Sequence, residues 1–201
     1  MSGGPAVILA SASRTRQDML RRAGVPLQVE PARIDEDGIK AALRAEAASA
    51  GQAAETLAEM KAAKISAQHP DALVIGADQI LECDGRWFDK PRDLSAAAAN
   101  LRALAGKRHT LATGTCLMRG RTRLWHRNDA PALTMRALDD AAIADYLAAV
   151  GDGALNSVGA YQIEGRGAQL FARIEGDFFT ILGLPLLPVL DILREHGVLR
   201  R

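Results

Sequence analysis

At 201 residues the chain can bury one sizeable core, as one domain or as two small lobes sharing a sheet, without a disulfide or metal staple. Its 25 lysines and arginines nearly cancel 24 aspartates and glutamates, and aromatic residues make up only 4%, which excludes a basic, aromatic-interleaved face for a nucleic-acid polymer. Cys83 and Cys116 stand outside any Cys-x-x-Cys or Cys/His metal pattern and read as buried, inert thiols of a reducing compartment.

The N-terminus, MSGGPAVILASAS, has no basic region and its apolar run covers only Ala6 to Ala10, which is not the pattern of a signal peptide. No stretch approaches the roughly 20 apolar residues of a membrane span. A cytoplasmic protein without membrane contact is expected. Ala6 to Ala10 suits a buried strand that feeds a helix from about Arg14 to Ala23, closed by Gly24 and Pro26. Leu27 to Ile34 alternates loosely as a second strand, and Asp35-Glu36-Asp37-Gly38 reads as a turn. From Ile39 to Ala67 the chain is helical in composition, with Gly51 as the expected break between two helices. A wholly apolar strand, Leu73 to Ala77, runs directly into Asp78 and on through Gln79-Ile80-Leu81 to a hairpin at Asp84-Gly85. A helix from about Ser95 to Leu104, with Ser95 as N-cap, precedes two long antiparallel strands, His109 to Arg119 and Thr122 to Arg136, joined at Gly120. Asp140 to Val150 returns to helix, Gly151 to Gly167 is a glycine-rich loop, Gln169 to Ile174 is a strand, and an apolar helix beyond Pro185 closes the chain. Strand-helix alternation followed by a strand-rich middle predicts an α/β fold with a mixed sheet, with no linker that would divide residues 1–201 into independent domains.

Three stretches carry candidate chemistry. LASASRTRQDML sets serines and arginines at a strand-to-helix turn, where free backbone N–H groups, hydroxyls and guanidinium forks converge as an anion pocket. Arg14 and Arg16 oppose the positive end of the helix dipole, a conflict with local stability typical of functional sites. Ser13 as a plain N-cap with solvated arginines is the competing reading. Asp35-Glu36-Asp37 offers the oxygen chemistry of a hard-metal site, or simply a solvated turn. Asp78 lies just beyond the carboxyl end of a buried strand, where open α/β sheets place their ligands, and a buried carboxylate there needs a cation, a metal or a proton. Lys90 and a metal shared with Glu36 are the candidates for that role. Lys61 and Lys64 share the helix before this strand; one of them could point at the site, and a solvated face is the competing reading. The histidines show no ligand spacing.

Taken in order, LASASRTRQDML, IDED, AEMKAAK, IGADQI, DKPRD, TGTCLM, GAYQIEG and IEGDFFTILGLPL resemble the motifs of the Maf family from Leu9 to about Gly197. That resemblance implies an inosine-triphosphatase-like fold, an elongated mixed sheet flanked by helices, as a single domain of two lobes with a central cleft. It also implies metal-dependent cleavage of a nucleoside triphosphate to its monophosphate and pyrophosphate, with Mg²⁺ or Mn²⁺ as cofactor and a homodimer as the assembly. By position, Asp78 resembles the proton acceptor and Glu36 its acidic partner at the metal, while Ser11, Ser13, Arg16, Lys61 and Lys90 match phosphate-binding positions. Thr15, Gln79 and Glu164 match the positions on which substrate choice turns. Gln79 and Glu164 resemble the 7-methyl-GTP branch, and Thr15 matches neither that branch nor the pyrimidine branch that cleaves dTTP and UTP. Arg14 stands where the family usually has proline, and Thr180 where many members have asparagine. A regulator of cell division that binds nucleotide without turning it over, a septum formation inhibitor, is the non-enzymatic alternative.

Overall fold

A computed structural model describes residues 4–200. Strand β1 (Val7–Leu9) is buried throughout and turns through Ser11–Ser13 into helix α1 (Arg14–Arg22). Strand β2 (Leu27–Val29) is shorter than expected, because Pro31 cannot donate to a ladder. The acidic segment is not a turn but a helix start. Asp35 is the N-cap, its carboxylate accepting the Gly38 N–H at 3.1 Å, and Glu36 and Asp37 fill the first turn of α2 (Glu36–Ala45), where the helix dipole favours acids. Nor is Gly51 the helix break. The break falls at Glu46–Ser49, where Ala47 takes a φ of 54° and Ser49 forms a capping box with Gln52 at the start of α3 (Ala50–Ser66).

Strand β3 (Leu73–Cys83) reaches the expected hairpin, with Asp84 and Gly85 at φ 52° and 76°, and returns as β4 (Arg86–Phe88). Helix α4 (Leu94–Leu104) is capped by Asp93 rather than Ser95, Asp93 Oδ1 accepting the Ala96 N–H at 2.7 Å. Strand β5 (Arg108–Arg119) is followed by β6 (Thr122–Asp129) and β7 (Ala132–Met135); the single strand expected over Thr122–Arg136 is cut at Pro131, which lacks a donor. Helix α5 (Asp140–Val150), strand β8 (Phe171–Glu175), and helices α6 (Phe178–Ile181) and α7 (Leu186–Glu195) complete the chain. The fold is mixed α/β: eight strands among the described residues order as β2-β1-β3-β5-β7-β8, with β4 on β3 and β6 on β5. Among the described residues no helix is long and apolar enough to cross a membrane.

Two compact units divide the chain. One takes the chain up to Gln79, then Thr113–Asp129 and Asp177 onward; the other takes Ile80–Ala112 and Ala130–Gly176. In the first unit β1 runs parallel to both β2 and β3, and alternation along these strands builds two cores. Val7, Leu9, Leu73 and Ile75 pack with Leu20 of α1 and Leu190 and Leu193 of α7, while Ile8, Ala10 and Val74 pack with Ala58, Ala62 and Ile65 of α3. Each such leucine or isoleucine contributes about 1.5–3 kcal/mol by leaving water.

Two glycines decide how closely α3 approaches its neighbours. A Cβ on Gly76 of β3 would lie 2.1 Å from the Ala58 carbonyl oxygen, and one on Gly114 of β5 would lie 2.5 Å from the Glu55 backbone nitrogen. Alanines line the facing stripe of α3 for the same reason. Backbone therefore packs on backbone, and α3 is seated at a fixed depth.

The second unit is organised around β5, β7 and β8, which pair antiparallel. His109 is buried there, its Nε2 2.8 Å from the Tyr161 hydroxyl, with Phe171 edge-on to the tyrosine ring. Burial pushes the His109 imidazole down to about 4 from its ordinary 6.5. The folded state thus binds this proton more weakly than the unfolded chain does. Its contribution is intact above pH 6.5 and is lost as pH falls through the window from 6.5 toward 4, in total about 3 kcal/mol. Urea midpoints at pH 7 and pH 4.5 are expected to differ less for His109→Gln than for the parent chain. An unchanged pH slope in the variant would contradict this assignment.

Candidate active site

The register between β1 and β3 ends at Leu9↔Ile75, with one further bond from the Ala10 N–H to the Ile75 carbonyl at 2.9 Å. Beyond that point β3 continues into Gly76, Ala77 and Asp78 without β1 beside it. Arg16 occupies the vacated edge: its Nη1 donates to the Ala77 carbonyl at 2.9 Å and to Ser11 Oγ at 3.2 Å, and its Nε donates to the Gly183 carbonyl at 2.7 Å. One guanidinium thereby ties the first turn of α1, the middle of β3 and the loop before α7. Burial pushes its pKa below the ordinary arginine range, while the charges of Asp78 and Glu36 pull it back, and it stays protonated at neutral pH. These bonds account for an arginine tolerated at the positive end of a helix dipole.

Ser13 is the N-cap of α1, accepting the Arg16 N–H at 3.4 Å, and its own N–H donates to Ser11 Oγ at 3.3 Å. Arg14 is exposed and Thr15 half-buried. The first turn of α1 contains no acid. Ser13 caps the helix and Arg14 is exposed, as the plain-cap reading expects, whereas Arg16 is buried rather than solvated.

Asp78 is only 6% exposed, and its cation is Lys61. Lys61 Nζ lies 2.6 Å from Asp78 Oδ1 and 2.9 Å from Glu36 Oε1, so one ammonium bridges two carboxylates. The other Asp78 oxygen, Oδ2, is buried without a hydrogen-bond partner among the described residues. Geometry explains why Lys61 arrives there. Gly76 seats the Ala58 turn of α3; Lys61 follows Ala58 by three residues on one helix face, and Asp78 follows Gly76 by two on one strand face. Lys64, by contrast, is exposed and donates to the Arg33 carbonyl. A signal for Lys61 was present in the sequence: with Leu57 and Ile65 it forms a stripe spaced by four, and both neighbours are buried.

Gln79 follows Asp78 and leaves β3 on the opposite face. Its Nε2 donates to Thr113 Oγ1 at 2.9 Å and to the Thr180 carbonyl at 3.0 Å. A carbonyl can only accept, so the amide orientation is fixed by chemistry, and Oε1 is the end directed away from these partners. Thr180 is itself held by Asp177, which accepts its N–H at 2.7 Å and its hydroxyl at 2.8 Å. Composition and motif gave no sign of Thr113 in this role. Lys90 and Glu164 are exposed residues of the second unit.

The donor set suits a hard divalent cation. Asp78 and Glu36 present carboxylate oxygens side by side, one Asp78 oxygen lacks a partner, and among the described residues no third carboxylate, histidine or cysteine joins them. Magnesium-type ions are commonly held this way, by one or two carboxylates with phosphate oxygens and water completing the shell. A closed zinc site needs four protein ligands and does not fit. Chemically, a buried carboxylate oriented by one ammonium, beside serine hydroxyls and a buried guanidinium, can take a proton from water next to an anionic ligand.

Residues 6–196 match the Maf-like protein family. The chain is 51% identical over 195 residues to a nucleoside triphosphate pyrophosphatase of Rhodospirillum rubrum, covering 97% of this chain and 96% of the relative. It is 49% identical over 193 residues to a protein of the same name from Granulibacter bethesdensis, covering 96% and 98%. A 7-methyl-GTP pyrophosphatase of Rhizobium meliloti is 47% identical over 195 residues, covering 97% and 98%.

Proposed function

This chain belongs to the Maf family, and we propose that it is a nucleoside triphosphate pyrophosphatase in which Asp78 activates the attacking water. The observation that carries the reading is the bridged pair: a buried Asp78 held at 2.6 Å by Lys61, which also holds Glu36 at 2.9 Å, in the middle of β3 just past the point where its pairing with β1 ends. Relatives named as nucleoside triphosphate pyrophosphatases, about half identical over nearly the whole chain, support the same activity.

Asp78 takes a proton from a water as that water attacks the α-phosphorus; the new P–O bond forms as the bond to the bridging oxygen breaks, and pyrophosphate leaves. Lys61 fixes the carboxylate in orientation, so no reorganisation is needed at the moment of transfer. Ser11 and Ser13, at the start of α1, are the hydroxyls offered to the phosphates. Arg16 holds the turn against the middle of β3 and adds positive charge beside them. Lys90 is assigned a further phosphate contact from the family resemblance. A divalent cation, Mg²⁺ or Mn²⁺, held by Glu36 and Asp78, would supply neutralisation of the charge spreading over the phosphates.

For the base, we assign 7-methyl-GTP as the preferred substrate. Gln79 has its donors occupied and offers an acceptor, which suits a base edge carrying N–H groups. Glu164 would accept from both N–H groups of a guanine edge and favour the positive charge that N7 methylation places on the ring. The name of the Rhizobium meliloti relative supports this assignment. Thr15 supplies no aromatic surface for stacking. Pyrophosphate release with Mg²⁺ across 7-methyl-GTP, GTP, dTTP, UTP, CTP and ITP tests the reading. The highest kcat/KM is expected for 7-methyl-GTP, and Glu164→Gln is expected to cut its advantage over GTP by about tenfold, the loss of one charge-assisted contact. A preference for dTTP and UTP would overturn the base assignment and keep the chemistry. Nucleotide binding without any release would overturn the enzymatic reading in favour of a binding regulator.

A further inference from the structure

We propose that Lys61 bars a free divalent cation from the Glu36–Asp78 pair, so that the metal enters only in company with the triphosphate. The inference rests on the pyrophosphatase reading for the identity of the anionic ligand.

Two carboxylates converging on one point are the start of a cation site, and here the point is already taken by an ammonium: Lys61 Nζ is 2.6 Å from Asp78 Oδ1 and 2.9 Å from Glu36 Oε1. The lysine cannot easily swing aside. It lies on the buried face of α3, one turn from Leu57 and one from Ile65, both buried, and the residue is 6% exposed. The ammonium leaves the pair with a single net negative charge, and a divalent ion brought to the same carboxylates is repelled by it at short range. Ligand number works in the same direction. A hard divalent ion needs about six oxygens, and among the described residues no third carboxylate, histidine or cysteine joins the pair.

A triphosphate removes both obstacles. Its oxygens fill the coordination shell that two side chains leave incomplete, and its negative charge engages Lys61 and offsets the repulsion. Lys61 thus keeps Asp78 and changes its second partner, Glu36 in the free protein and the phosphates in the complex. Glu36 is the more exposed of its carboxylate partners, at 41% of its side chain against 8% for Asp78, and is the one free to turn toward an incoming ion. Metal and nucleotide affinities are therefore coupled, each raising the other by the same factor.

The test is a Mn²⁺ titration of the full chain followed by electron paramagnetic resonance, with and without an α,β-methylene triphosphate that cannot be cleaved. In the unsubstituted protein Mn²⁺ alone is expected to bind weakly, and at least about tenfold more tightly in the presence of the analogue. Lys61→Gln and Lys61→Met are expected to bind Mn²⁺ alone at least about tenfold more tightly than the parent, because the pair keeps both negative charges. The proposal is overturned if the parent binds Mn²⁺ as tightly without the analogue as with it, or if neither substitution tightens binding of Mn²⁺ alone. Should the substituted chains fail to fold, the parent titration decides, read against Mn²⁺ and the analogue without protein: only affinity beyond the analogue's own chelation counts as coupling. Pyrophosphate release by the parent in the same buffer separates the two readings: release with uncoupled Mn²⁺ binding removes the barrier alone, whereas no release from any triphosphate removes the pyrophosphatase reading, and inorganic triphosphate then serves as the second ligand in the same titration.

Discussion

Asp78→Asn is expected to lower pyrophosphate release by roughly a hundred- to ten-thousand-fold, the range lost when a positioned general base is removed. The amide keeps the size of the carboxylate and can still accept from Lys61, but it cannot take a proton from water. Folding should survive the change. Lys61 retains Glu36 as an ionic partner at 2.9 Å, so its buried ammonium is not left without a counter-charge. Removing one charge from a buried pair costs about 3–5 kcal/mol where the survivor is orphaned, and less is expected here because it is not. The measurement is kcat in a pyrophosphate-coupled assay alongside a thermal melt. A folded Asp78→Asn protein with parental kcat would remove Asp78 from the chemistry.

The second large effect comes from a residue that touches no substrate. Gly76→Ala places a methyl group 2.1 Å from the Ala58 carbonyl oxygen and 2.8 Å from the Ala62 methyl. A backbone carbonyl and a Cβ rigidly fixed to the helix leave no flexible side chain to yield, so α3 must lift from β3. Overpacking of this kind costs about 1–3 kcal/mol, at times more. For a chain of this size that lowers the melting temperature by about 2–4 °C per kcal/mol. Activity should fall as well, because Lys61 rides on α3 and its 2.6 Å contact with Asp78 depends on the depth at which the helix is seated. Gly51→Ala is the contrasting substitution: its methyl would meet only Ser49 Oγ at 3.9 Å, and alanine favours a helix, so stability should hold or rise. Unchanged melting and turnover in Gly76→Ala would contradict a close backbone contact between α3 and β3.

Legibility in the sequence followed the range of the interaction responsible. The apolar run into Asp78 and the Asp84-Gly85 hairpin were readable because neighbours in sequence determine them. Local chemistry also explains what was misread. Asp35 and Asp93 each accept an N–H three residues on and start helices, where a turn and a later cap were expected. Pro131 interrupts what alternation alone presents as one strand. Within the site, the position of Asp78 and its need for a cation were readable, and so was Lys61 as a lysine on a buried stripe of α3, but the pairing of the two was not. It depends on Gly76 meeting Ala58, a contact between elements that no local pattern records. The same holds for Arg16, whose partners Ala77 and Gly183 lie 61 and 167 residues away, and for the Gln79 amide, oriented by Thr113 and Thr180.

Hydrolysis in ¹⁸O-labelled water tests the central claim most directly. If water activated by Asp78 attacks the α-phosphorus, the unsubstituted protein acting on a nucleoside triphosphate should place the label in the nucleoside monophosphate and release unlabelled pyrophosphate. Label recovered in pyrophosphate, or in single phosphate released with a nucleoside diphosphate, would place the attack elsewhere and contradict the mechanism.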